Sequence, residues 1–136
     1  MVTLPDAPAI AALDTVLAEE PTVAVDRLLL TGLSMGGYGS WDLAARMPER
    51  FAAVLPICGG GDAATATRLV KLPIWCFHGE SDPVVPADRS RSMIAAIKAA
   101  GGTPIFSVLP AVGHDSWTPA YRNPAVLDWL FDQRRR

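Results

Sequence analysis

The segment Leu28-Leu29-Leu30-Thr31-Gly32-Leu33-Ser34-Met35-Gly36 joins an apolar run to a Gly-x-Ser-x-Gly turn. A helical stretch follows directly. A strand, a sharp turn and a helix in that order form a nucleophile elbow. A serine that attacks a carbonyl needs such placement. The turn strains the backbone at Ser34, and glycines two residues to either side spare a collision that a Cβ would cause. The next helix aims its free N–H groups at the same point, where an oxyanion is stabilised.

The rest of the chain supplies the frame. A helix is expected from Asp6 and Pro8 to about Glu20, with Ile10, Leu13, Val16 and Leu17 on one face and Pro21 as its stop. Strands are expected at Arg27 to Thr31, Phe51 to Ile57, Pro73 to His78 and Pro104 to Leu109. Between them lie helices from Met35 to Met47, Ala63 to Val70 and Ala87 to Ala100. Met93, Ile94 and Ile97 point inward on the last of these, and Gly101-Gly102 ends it. Pro110 to Pro119 reads as a loop, and a closing helix runs from Asn123 to about Arg134. Strands alternating with helices give an α/β fold: about four parallel strands with helices on both faces. The 136 residues suffice for a single domain, 1–136.

Composition narrows the function classes. Half the residues are hydrophobic and 19% are charged, which argues for a packed core and against disorder. A formal net charge of -2 gives no basic footprint for nucleic acid. Arg134-Arg135-Arg136 reads as a solvated tail. No stretch has the length of a membrane span, and no signal-peptide pattern is visible, so the expected compartment is the cytoplasm. A mature secreted chain would look the same. Cys58 and Cys76 make no disulfide framework and no metal motif; both read as buried free thiols. Gly59-Gly60-Gly61 lacks the lysine and spacing of a phosphate loop, and no cofactor or metal is implied.

Ligands of parallel sheets sit beyond the carboxyl ends of the strands. Ser34, Asp82 and His114 each follow a different strand there. The expected roles follow from proton affinity: His114 takes the Ser34 proton during attack, and Asp82 holds the imidazole and stabilises its charged form. The Met35 N–H is an oxyanion donor. His78 is the competing base, although it ends an apolar strand. Glu80 and Asp62 are rival acids, Asp88 reads as a helix-terminus charge, and Asp115 adjoins the histidine. Tyr38 and Trp117 are candidate substrate-lining residues.

Three motifs carry a family likeness. Gly-Leu-Ser-Met-Gly-Gly-Tyr-Gly-Ser-Trp from Gly32, Phe-His-Gly-Glu-Ser-Asp-Pro-Val-Val-Pro from Phe77 and Gly-His-Asp-Ser-Trp from Gly113 resemble the α/β-hydrolase superfamily. The nearest likeness is to its prolyl-oligopeptidase-like, polyhydroxybutyrate-depolymerase-like and feruloyl-esterase-like carboxylesterases. The resemblance implies Ser34 as nucleophile, Asp82 as acid, His114 as base and Met35 as oxyanion donor. It implies a carboxylesterase acting on short-chain or aryl esters, with peptidase action or a catalytically weak binding module as alternatives. Members of that superfamily normally carry an eight-stranded sheet, and this chain matches only its back half. The absent front half usually supplies the second oxyanion donor, a loss worth about 10²–10³ in rate. One flank of the elbow strand is then bare, and a homodimer that covers it is expected.

Overall fold

A computed structural model describes residues 7–135 of the chain. Helix α1 (Ala7–Glu19) leads to strand β1 (Leu29–Leu33), helix α2 (Met35–Arg46), strand β2 (Ala53–Ile57), a 3-10 segment (Ala63–Leu69) and strand β3 (Trp75–Gly79). Helix α3 (Asp88–Ala99), strand β4 (Ile105–Leu109) and helices α4 (Trp117–Arg122) and α5 (Pro124–Asp132) complete it. Asp6, the expected helix opener, and Arg136 lie outside the described residues.

The four strands pair in the order β1-β2-β3-β4, and all pairs are parallel. Such a monotonic order with crossovers of one hand sends every connection over the same face. Accordingly α2, the 3-10 segment and α3 share one core with Val54, Ile74 and Cys76, built around Trp41, Leu69, Met93 and Ile97. The opposite face is left to α4 and α5. There Ala53, Leu55, Ile57 and Phe77 pack against Ala120, Val126 and Leu130. Successive strand residues alternate between the two cores, so β2 is buried throughout.

Several elements differ from expectation. Strand β1 begins and ends two residues later than expected, because Leu33 still pairs with Ile57 across the sheet. Arg27 lies in a short 3-10 turn instead. Ala63–Leu69 is 3-10 rather than α-helical; its buried residues, Ala66 and Leu69, are three apart, as a three-residue turn requires. Helix α4 begins within the last three residues of the expected loop, at Trp117, and runs on to Arg122. Pro119 sits in its first turn, where a missing N–H costs no helical hydrogen bond. Asp88 lies in the first turn of α3 without a capping hydrogen bond. Val16, expected inward, is 49% exposed, since α1 reaches the core only through Ile10 and Leu13.

Close backbone approach fixes how α2 sits on the sheet. A Cβ on Gly32 would lie 2.3 Å from the Gly36 carbonyl oxygen, so the elbow closes only without one. A Cβ on Gly37 would lie 2.5 Å from the Ile57 carbonyl oxygen. A Cβ on Gly36 itself meets nothing within 4 Å, so the expected collision belongs to the first glycine of the motif and not to the second. Gly37→Ala is therefore expected to cost about 2 kcal/mol of stability in urea unfolding. Gly36→Ala is expected to be neutral or to stabilise by up to about 1 kcal/mol. Equal losses in both variants would contradict this packing.

Candidate active site

The carboxyl ends of all four strands meet at one rim. Ser34 closes β1 with φ 54° and ψ -113°, a left-handed conformation that costs a residue with a side chain about 1–3 kcal/mol. Its N–H holds it to β2 by donating to the Ile57 carbonyl at 2.9 Å, and it also lies 3.3 Å from Cys58 Sγ. The Ser34 carbonyl takes the N–H groups of Gly37 and Tyr38. As the first residues of α2, Met35 and Gly36 have no intrahelical acceptor for their N–H groups.

Ser34 Oγ lies 3.0 Å from His114 Nε2, and His114 Nδ1 lies 2.8 Å from Asp82 Oδ2. A carboxylate only accepts, so Nδ1 carries the proton and Nε2 is left to accept from the serine. Asp82 Oδ1 accepts the N–H groups of Val84 and Val85 at 2.8 and 2.9 Å. Burial pushes the Asp82 carboxyl up. The hydrogen bond from His114, the N–H groups of Val85 and Val84 and the charge of the imidazole outweigh that push. The net result is a carboxyl held below its ordinary range.

The remaining sequence candidates separate cleanly. His78 is fully buried, with Nε2 2.7 Å from the Val85 carbonyl and Nδ1 2.7 Å from Ser90 Oγ. A carbonyl only accepts, so in the neutral ring Nε2 carries the proton and Nδ1 accepts from Ser90. His78 thus supports the acid loop, and Nε2 lies 3.3 Å from Asp82 Oδ2. It makes no described contact with Ser34. Glu80 faces Arg91 at 3.7 Å in solvent. Asp62 caps the 3-10 segment through Ala64. Asp115 receives the Thr118 N–H and hydroxyl. Trp117 stands edge-on to the His114 ring, with centroids 5.5 Å apart. Tyr38 lies beside Gly60 instead.

Sequence reasoning read Cys58 as a buried free thiol, which it is, but gave it no place at the rim. This thiol follows β2 with φ 43°, is fully buried, and lies beneath the elbow. Burial pushes its pKa up, the Ser34 N–H and the Ser116 hydroxyl pull it down, and Asp82 and Asp115 add to the rise. The only sequence signal was its position just past a strand end, shared with Ser34. Cys76, within β3, is pushed up to about 12 by burial and plays no part at the rim.

The rim is open, with Met35 66% and Val84 65% exposed beside it. A cleft of about 870 Å³ lies at the other end of the strands, among Pro48, Phe51, Lys71, Pro73 and Arg134. It is remote from Ser34. Among the described residues no helix is long and apolar enough to cross a membrane.

Comparison with known proteins agrees with this architecture. The chain is similar to a solved thermostable esterase at 39% identity and a TM-score of 0.90, over 96% of this chain and 38% of that one. A Methylorubrum extorquens protein assigned as a carboxymethylenebutenolidase is 32% identical over 93% of this chain and 49% of its own length. An acylaminoacyl peptidase of Pyrococcus horikoshii shares the fold, with a TM-score of 0.75 at 18% identity, over 82% of this chain and 24% of that one. The chain spans less than half the length of the curated relatives it matches. The pattern that defines the Dienelactone hydrolase family, one branch of the α/β-hydrolases, matches residues 6–124. With this sheet, this elbow and that match, the chain belongs to the dienelactone hydrolase family.

Proposed function

We propose that the chain hydrolyses carboxylic esters through an acyl-enzyme on Ser34. The carrying observation is the relay from Ser34 Oγ through the His114 imidazole to Asp82, with steps of 3.0 and 2.8 Å. His114 removes the hydroxyl proton as Ser34 attacks the ester carbonyl. The imidazolium then protonates the departing alkoxide. Water enters by the same base and releases the acid. Asp82, anchored by two backbone N–H groups, keeps the imidazole in the productive tautomer. The Met35 N–H, free of helical partners, faces the developing oxyanion. Family membership and the esterase likeness support an ester as substrate.

Short acyl and aryl esters fit the open rim. Met35 and Val84 offer apolar surface without enclosing a long chain, and Trp117 adds an aromatic wall beside His114. Peptide hydrolysis is the weaker reading. An amine leaves less readily than an alkoxide, and demands more oxyanion stabilisation.

Labelling by a fluorophosphonate tests the nucleophile. The wild type is expected to label, Ser34→Ala not at all, and His114→Ala at least about 10²-fold more slowly. A folded wild type that stays unlabelled would favour a binding module. A nitrophenyl ester is expected to turn over while the matching anilide does not. The reading includes a homodimer across the outer edge of β1, which is paired on one side only among the described residues. Light scattering is expected to give twice the chain mass; a monomer at every concentration would refute it.

Asp82 also sets a pH dependence. Its folded pKa lies below its unfolded value, so the unfolded state binds the proton first as pH falls. Its stabilising contribution is full above the unfolded carboxylate pKa, about 3.9, and is lost as pH falls through the lower folded value. Asp82→Asn should flatten the acid limb of thermal stability measured by circular dichroism. An unchanged limb would show that the carboxylate is not held in this way.

A further inference from the structure

We propose that Cys58, Asp82 and His114 form a binding site for a soft divalent cation, Zn²⁺ or Cd²⁺, and that its occupation switches off chemistry at Ser34. One ligand atom from each of the three residues lies within 4.8 Å of the others. Around a single zinc ion, sulfur sits at about 2.3 Å and nitrogen or oxygen at about 2.0–2.2 Å. The three groups thus need only small side-chain movements to share one ion. A thiolate, an imidazole and a carboxylate suit zinc and cadmium, and leave the fourth position to water.

The surroundings favour such an ion. The Ser34 N–H points at the Cys58 sulfur at 3.3 Å. Ser116 Oγ is fully buried and has no hydrogen-bond partner among the described residues. Asp82 Oδ1 is pinned by Val84 and Val85, and Oδ2, which accepts from His114 Nδ1, is the oxygen turned toward the other two groups. These contacts supply the outer shell that orients metal ligands. Charge balances too. Thiolate and carboxylate together carry two negative charges, which a divalent cation cancels in a buried setting. Metal binding requires the thiolate, and the cation offsets the cost of burying that charge.

Binding releases the Cys58 thiol proton to solvent and forms the metal–sulfur bond, with no change of oxidation state. The ring proton moves from Nδ1 to Nε2, the Nδ1 lone pair goes to the ion beside Asp82 Oδ2, and His114 no longer accepts the Ser34 proton. The loss of hydrolysis rests on the esterase reading; the binding itself does not.

Cadmium titration of the whole chain tests both. The background is Cys76→Ala, which leaves Cys58 as the only thiol. One ultraviolet cadmium–thiolate band per chain is expected, with release of about one proton and reversal by a chelator. Nitrophenyl ester hydrolysis should fall in step with the band. Adding Cys58→Ser should abolish the band and reduce cadmium sensitivity at least about tenfold. Asp82→Asn should weaken the band's affinity while keeping it, so the proposal stays testable if the serine variant does not fold. Circular dichroism must show the native fold throughout. Hydrolysis with no cadmium band overturns the site and leaves the esterase. A band in a chain that never hydrolyses ester leaves the site and overturns the esterase.

Discussion

Parallel pairing of four neighbouring strands is the constraint from which the rest follows. Because β1 to β4 all point the same way, their carboxyl ends form a single rim. Each end delivers one chemical group: Ser34 after β1, Cys58 after β2, Asp82 after β3 and His114 after β4. No one loop holds the site. It exists only when the sheet is in register, since a slip would carry each group away from its neighbours. Stability and chemistry are coupled for this reason.

The core enforces that register. Strand β2 is buried on both faces, and its residues alternate between the Trp41 core and the Val126 core. Gly37 lets α2 approach β2 closely, and the Ser34 N–H then reaches the Ile57 carbonyl at 2.9 Å. The strained backbone at Ser34 is held by this packing. Left-handed conformations at Ser34, Cys58 and Ala111 mark places where the fold spends stability on geometry.

Electrostatics at the rim is arranged around one carboxylate. Asp82 has two backbone donors on one oxygen and His114 on the other, with His78 behind it. The two histidines thereby take different tasks from similar positions at strand ends. His78 is enclosed, with both ring nitrogens engaged by Ser90 and Val85. His114 is half-buried, with one nitrogen turned to Ser34. Access, not residue type, separates them.

Much of this was legible in the sequence because the signals are local or scarce. Gly-x-Ser-x-Gly after an apolar run singles out Ser34, and a chain with two histidines offers two candidates for the ring beside it. Alternating apolar strands and helices give the layered sheet. What tertiary structure alone decided depended on partners distant in the chain. Strand β1 extends to Leu33 because Ile57 is there to pair with it. Helix α4 starts at the end of a segment that reads as loop, and packs its Ala120 against the sheet beside Val126 of α5. Val16 faces solvent, although its spacing promised a core. Cys58 stands beside Asp82 and His114 because neighbouring strands end together, a proximity that no spacing of 24 residues encodes. Sequence fixes what each residue can do; the register of the sheet fixes what it does it to.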